Sequence, residues 1–185
     1  MSGTTDSSPS PDSSDISALL REGAGRWALD PASSRVEFRV KHFWHAITVH
    51  GRFDRIEGEG TVAADGAVSG QLRIDAASLD TRNRQRDKHL RSADFFDVEH
   101  HPQVIVTVTG ARPADGALAC QATVEAAGQS ERLEFTARIE DAAPDAVSVR
   151  AELVVDRTTF GMTWSPLRMA SRYAKGIVVA RLVRS

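Results

Sequence analysis

The chain has 185 residues, with 23 Lys and Arg against 25 Asp and Glu and a formal net charge of −2. So even a balance gives no electrostatic footing for nucleic acid or an anionic membrane, and a lone cysteine, Cys120, excludes an internal disulfide. Apolar runs stop at four or five residues, far short of the ~20 that a membrane-spanning helix needs.

The first fifteen residues hold Ser, Thr, Asp, Pro and Gly, with no large apolar side chain after Met1. Such a stretch cannot offset its ordering entropy and is expected to stay unfolded. It has no basic start followed by an apolar segment, so it does not read as a secretory signal, and the expected address is cytoplasmic. Residues 1–25 are therefore read as a tail and 26–185 as one domain. Within the tail, Ile16–Glu22 is apolar enough to form a short helix. Ser14 or Asp15 can cap it, and Gly23 and Gly25 can end it. Ile16, Leu19 and Leu20 share one face, so this helix either lies on the domain surface or serves as a lid or docking element.

After Trp27 the pattern turns to period two. In Ser34–Val40, Val36, Phe38 and Val40 alternate with charged residues. The same alternation marks Ser69–Asp75, Leu133–Glu140 (with Phe135 inward) and Val147–Val155. Less regular strands are expected at Thr48–Glu57, Gly60–Ala64, Pro102–Gly110, Leu118–Ala126 and Lys175–Val183. Asp65-Gly66, Asp115-Gly116, Ala127-Gly128 and Ala143-Pro144-Asp145 supply turns between them. One apolar and one wet face per strand is the mark of an antiparallel sheet. About eight such strands with short turns point to a closed barrel, which also removes exposed sheet edges. Two stretches break the period and are expected as short helical or irregular inserts at the barrel ends: Thr81–Ser92 and Asp156–Arg172.

A barrel of eight strands has an interior wide enough for packed side chains or for one small ligand. Its inward residues here are Val, Leu, Ile, Phe and several Ala, which suits an apolar ligand. Alternation alone equally allows a filled core.

Four segments together resemble the YceI-like, polyisoprenoid-binding, lipocalin-like proteins. They are WALDPASSRVEFRV continuing as KHFWHAITVHGRF to Phe53, IDAASLDT at Ile74–Thr81, RDKHLRSADFFDV at Arg86–Val98 with His101-Pro102 following, and DRTTFGMTW at Asp156–Trp164. The resemblance covers about Trp27–Ser185. It implies an all-β fold, an eight-stranded antiparallel lipocalin-like β-barrel with short helical inserts. It also implies an elongated apolar pocket for a polyprenyl chain, an isoprenoid quinone or a similar amphipathic lipid, and a homodimer. Two segments depart from the family pattern: Ser33-Ser34 stands where His-Ser is usual, and the Val124–Glu134 hairpin has different turn chemistry.

The residues expected to bind the ligand are Phe38, Phe43, Trp44, Arg86, His89, Phe95, Phe135, Phe160, Met162 and Trp164. The aromatics and methionine of the inserts would ring a pocket mouth, since such side chains adapt to lipid. Arg86 or His89 would meet a headgroup or quinone carbonyl. The alternative for Arg86, Asp87, His89 and Arg91 is a structural network, with Asp87 and Arg91 at ion-pair spacing on a helix. Asp156-Arg157 is expected as a semi-buried pair tying the inserts together. The histidines at 42, 45, 50, 100 and 101 lack metal-like spacing with Cys or acidic partners, so neither a metal nor another cofactor is expected. No nucleophile–base constellation is seen. The expected activity is binding or carriage of an apolar isoprenoid lipid. The alternatives are a cyclase-like enzyme acting on a polyene, and a stress or interaction protein with a structural lipid.

Overall fold

The period-two segments become strands of one continuous antiparallel sheet. The computed structural model describes residues 13–42, 46–165 and 170–185. In chain order, helix α1 (Ser13–Glu22) is followed by β1 (Gly25–Leu29), β2 (Arg35–His42), β3 (Ile47–Phe53), β4 (Ile56–Val62), β5 (Val68–Asp75) and β6 (Leu79–Asp80). Helix α2 (Arg84–Leu90), β7 (Gln103–Ala114), β8 (Ala117–Ala126), β9 (Gln129–Ala143), β10 (Ala146–Asp156) and β11 (Ala170–Arg184) complete it.

Among the described residues, eleven strands occupy eight positions of a closed barrel. β11 is long enough to pair with β2 over one half and with β1 over the other. Likewise β3 and β4 form one bent strand, as do β5 and β6. Each bend is tied to a neighbour, the first to β11 and the second to the third. Pro31 cannot donate to a ladder, and around it the Asp30 N–H donates to the Arg181 carbonyl (2.8 Å) while the Arg181 N–H donates to Ser34 Oγ (2.9 Å). At the next bend the Arg55 N–H donates to Ser78 Oγ (3.1 Å), and the Arg55 guanidinium pairs with Asp75 (2.7 Å). The stretch Thr48–Glu57, expected as one strand, thus breaks at Asp54-Arg55. β4 takes in much of the separately expected Gly60–Ala64 strand, and β1 was not foreseen.

Turns fall at the marked places. Asp115-Gly116 and Ala127-Gly128 both carry two successive positive φ values, the conformation that matches the twist of a two-residue hairpin. The β4–β5, β7–β8 and β9–β10 turns gather at one end of the barrel with α1. The β8–β9 turn, α2 and the β10–β11 connection gather at the far end.

The interior differs between the two ends. Toward the far end Val36, Phe53, Ile56, Ile74, Leu79, Phe160 and Met162 form a packed cluster, with Phe38, Phe95 and Phe96 against it. The Phe38 and Phe53 rings lie 5.5 Å apart, and Phe96 meets Phe53 edge-on at 5.8 Å. Phe38 lies across Gly51, where any Cβ would run into its ring. Toward the α1 end the buried inward residues shrink to Cys120, Ala137 and Ala151, beside Ile16 and Leu118.

The apolar face of Ile16–Glu22 does form a helix, beginning three residues earlier at Ser13. Ile16 is wholly buried. The Gly23 N–H closes the helix on the Leu19 carbonyl (2.8 Å). Arg184 caps its end, donating to the carbonyls of Ala24 (2.9 Å) and Glu22 (3.3 Å) while stacking 5.0 Å from the Trp27 ring centre.

Candidate functional site

Where the inward side chains shrink, the barrel is hollow. A cavity of about 500 Å³ occupies the α1 half, a size within the ~300–1,000 Å³ of small-molecule sites. Gly58, Gly60, Gly70, Ala111, Cys120, Ala137, Ala151 and Ala180 leave the space, and Trp27, Leu72, Val106, Phe135, Ile139, Val149 and Val178 give it an apolar wall. Leu19, Leu20 and Glu22 of α1, with Gly23 just after it, cover it at the barrel end, beside the β4–β5 and β9–β10 turns. Burial pushes the Cys120 thiol above its ordinary pKa, which suits an apolar wall and not a reactive thiolate.

Phe135, of the ten residues singled out from the sequence, lines this cavity. Phe38, Phe95, Phe160 and Met162 belong to the packed cluster at the far end. Phe43 and Trp44 lie outside the described residues. The pocket therefore reaches the surface under α1, while the described insert aromatics stand at the opposite end. The physical reason is bulk: phenylalanines meeting across a narrow barrel fill it, and alanines and glycines do not. Leu29, Leu72, Ala137 and Ala151 were missed as site residues. For Leu72, Ala137 and Ala151 the signal was a small or aliphatic residue at an inward position of an alternating strand, whereas Leu29, on the short β1, carried none.

The polar residues of the inserts hold structure together. Arg86 donates to Thr81 Oγ1 (2.7 Å) and to the Thr81 carbonyl (2.8 Å), and Asp87 accepts from the Thr81 N–H (3.0 Å) and hydroxyl (2.5 Å). Arg91 does not take up the expected pairing with Asp87. It donates to the carbonyls of Ala77 (2.9 Å) and Leu79 (2.5 Å), because those bend carbonyls need donors. His89 contacts Asp94 (2.8 Å) and stands edge-on to Phe95 and to Trp164, the last at 4.4 Å and half-exposed.

Asp156 and Arg157 also part company. Arg157 is buried and donates to the carbonyls of Ser171 (2.8 Å), Met162 and Trp164 (3.2 Å). Burial lowers its pKa. Asp156 instead takes the Arg172 guanidinium (2.5 Å) and the Thr158 N–H (3.0 Å), so its carboxyl is held down to about 2. A depressed carboxyl stabilises the fold above its unfolded value of 3.8 and loses that contribution as pH falls through about 2. Asp156→Asn should therefore lower stability at neutral pH and flatten the stability profile across that acid window. Urea titrations along the pH series check this, and coincident profiles for the two proteins would refute it.

Fold and cavity together define a class: a closed antiparallel barrel with an apolar pocket in one half. The chain belongs to the YceI-like domain family, whose model matches residues 27–183. It is 40% identical over 78 residues to a UPF0312 protein of Pectobacterium atrosepticum, a stretch covering 40% of this chain and 39% of that one. It is 32% identical over 93 residues to a UPF0312 protein of Vibrio cholerae, covering 46% and 47%. The matched stretch thus spans less than half the length of these relatives. Among solved structures, Burkholderia cenocepacia BcnA superposes with a TM-score of 0.75 at 18% identity, covering 83% of this chain and 98% of that one. A polyisoprenoid binding domain from Saccharophagus degradans, implicated in plant cell wall breakdown, gives 0.72 at 18% identity, covering 86% and 98%. At such identity the likeness speaks for the fold. Among the described residues no helix is long and apolar enough to cross a membrane.

Proposed function

We propose that the cavity binds an apolar isoprenoid-type lipid, a polyprenyl chain or isoprenoid quinone, for storage or carriage and not for turnover. The observation that carries this is the lining: inward Ala, Gly, Val and Leu leave about 500 Å³ walled almost entirely by carbon. Each ligand methylene buried there is worth roughly 0.8 kcal/mol, so a hydrocarbon chain binds with no specific polar contact. The Saccharophagus degradans neighbour, described as polyisoprenoid-binding, supports the same ligand class.

Solvent extraction and mass spectrometry of the purified chain should recover an isoprenoid lipid. Cys120 offers a second readout because it lines the cavity. An apolar thiol reagent should label it slowly in the extracted protein and more slowly again once a prenol is added. No extractable lipid, no prenol binding and no protection of Cys120 would defeat the proposal.

A further inference from the structure

The inward pairs of β4 and β5 change in steps along the barrel. Ile56 faces Ile74 in the packed cluster, Gly58 faces Leu72, Gly60 faces Gly70, and Val62 faces Val68 beside the turn. The bore widens between the second and third pairs, where a leucine gives way to two glycines. At the narrow level Leu29 leans over Gly58, within 3.2 Å of where a Cβ would stand. Leu72 pairs in register with Val106 on β7. Leu29, Leu72, Val106 and Val178 each line the cavity and also pack on the buried cluster. They come from β1, β5, β7 and β11, so they reach inward from several sides of the barrel. Behind them stand the Phe38 and Phe53 rings, 5.5 Å apart.

We propose, on the footing that the cavity holds an apolar chain, that this aliphatic layer is its floor and sets the length of chain the protein accepts. A chain entering under α1 gains burial with each carbon until it meets Leu72 and its neighbours. Beyond them, further entry must displace packed aromatic rings. A longer chain must hold its surplus extended in water at the mouth, where it gives up the apolar contacts that it keeps when coiled or aggregated, so it binds less well than one that just reaches the floor. Specificity for length therefore comes from where inward residues turn from glycine to leucine.

The test is competition. Extracted full-length protein is offered an equimolar mixture of geraniol, farnesol, geranylgeraniol and solanesol, and native mass spectrometry reads the occupancy of each. Wild type should favour an intermediate length over solanesol. Leu72→Ala should shift preference to a longer prenol by on the order of tenfold, since each newly buried methylene is worth about a fourfold gain. Leu72→Phe should shift it to a shorter one. Val178→Ala, which lowers the same floor from β11, should act like Leu72→Ala and stands in if that variant does not fold, as judged by circular dichroism. An unchanged preferred length in folded variants that still bind prenols overturns the floor and leaves the binding proposal standing. A wild-type preference for solanesol does the same. Folded proteins that take up no prenol overturn both.

Discussion

The double variant Ala137→Leu/Ala151→Leu is expected to fold and to lose prenol binding by roughly a hundredfold. Ala137 and Ala151 face each other in register on β9 and β10, and both line the cavity. Leucine at each would extend into the hollow half. If it takes the place of three or four ligand methylenes at ~0.8 kcal/mol each, about 3 kcal/mol of binding is lost. Overpacking normally costs ~1–3 kcal/mol because a filled core has nowhere to put the added atoms. Here the added atoms meet space, so the melting temperature should hold or rise. Titration with geranylgeraniol gives the binding arm and thermal unfolding gives the stability arm. Full binding in a folded double variant would place the ligand elsewhere. A collapsed melting temperature would mean the cavity walls do not have the room described.

Much of the barrel was legible in the sequence because its strands are half-wet. Val36, Phe38 and Val40, or Leu133, Phe135 and Ala137, alternate with charges and so declare both strand and inward face. The breaks were harder to see. β1 holds only Gly25–Leu29 before Pro31 interrupts it, too short a stretch for alternation to show. The Asp54-Arg55 bend depends on Ser78 and Asp75, whose hydrogen bonds link distant segments. The site was less legible than the fold for one reason. Alternation says which residues face inward and says nothing about whether they meet. Phe38, Phe95 and Phe160 read as lipid contacts from their chemistry, yet they pack in or against the buried cluster of the far half, where the Phe38 and Phe53 rings meet. The small residues looked uninformative, yet space in a barrel comes from what is missing.

Helix α1 supplies the remaining large effect. It lies outside the stretch that matches the family model, residues 27–183, and it covers the cavity with Leu19 and Leu20. A helix of ten residues is marginal in water by itself, so docking holds it in place. Ile16, wholly buried, is the main anchor, worth about 1.5–3 kcal/mol. Arg184 adds a latch by engaging the carbonyls of Glu22 and Ala24. Ile16→Asp in the full chain should release this helix, because a carboxylate does not enter an apolar site unpaired. Prenol dissociation should then quicken by roughly ten- to hundredfold, the factor by which the lost anchor had suppressed opening. Arg184→Ala should quicken it by less, since water replaces the guanidinium at exposed carbonyls. Stopped-flow displacement of a bound prenol by excess unlabelled competitor measures both rates. Equal rates in all three proteins would show that α1 decorates the barrel and does not gate it. A faster rate in Ile16→Asp with unchanged barrel melting would establish that entry and exit pass beneath this helix, at the end where glycine and alanine leave the barrel hollow.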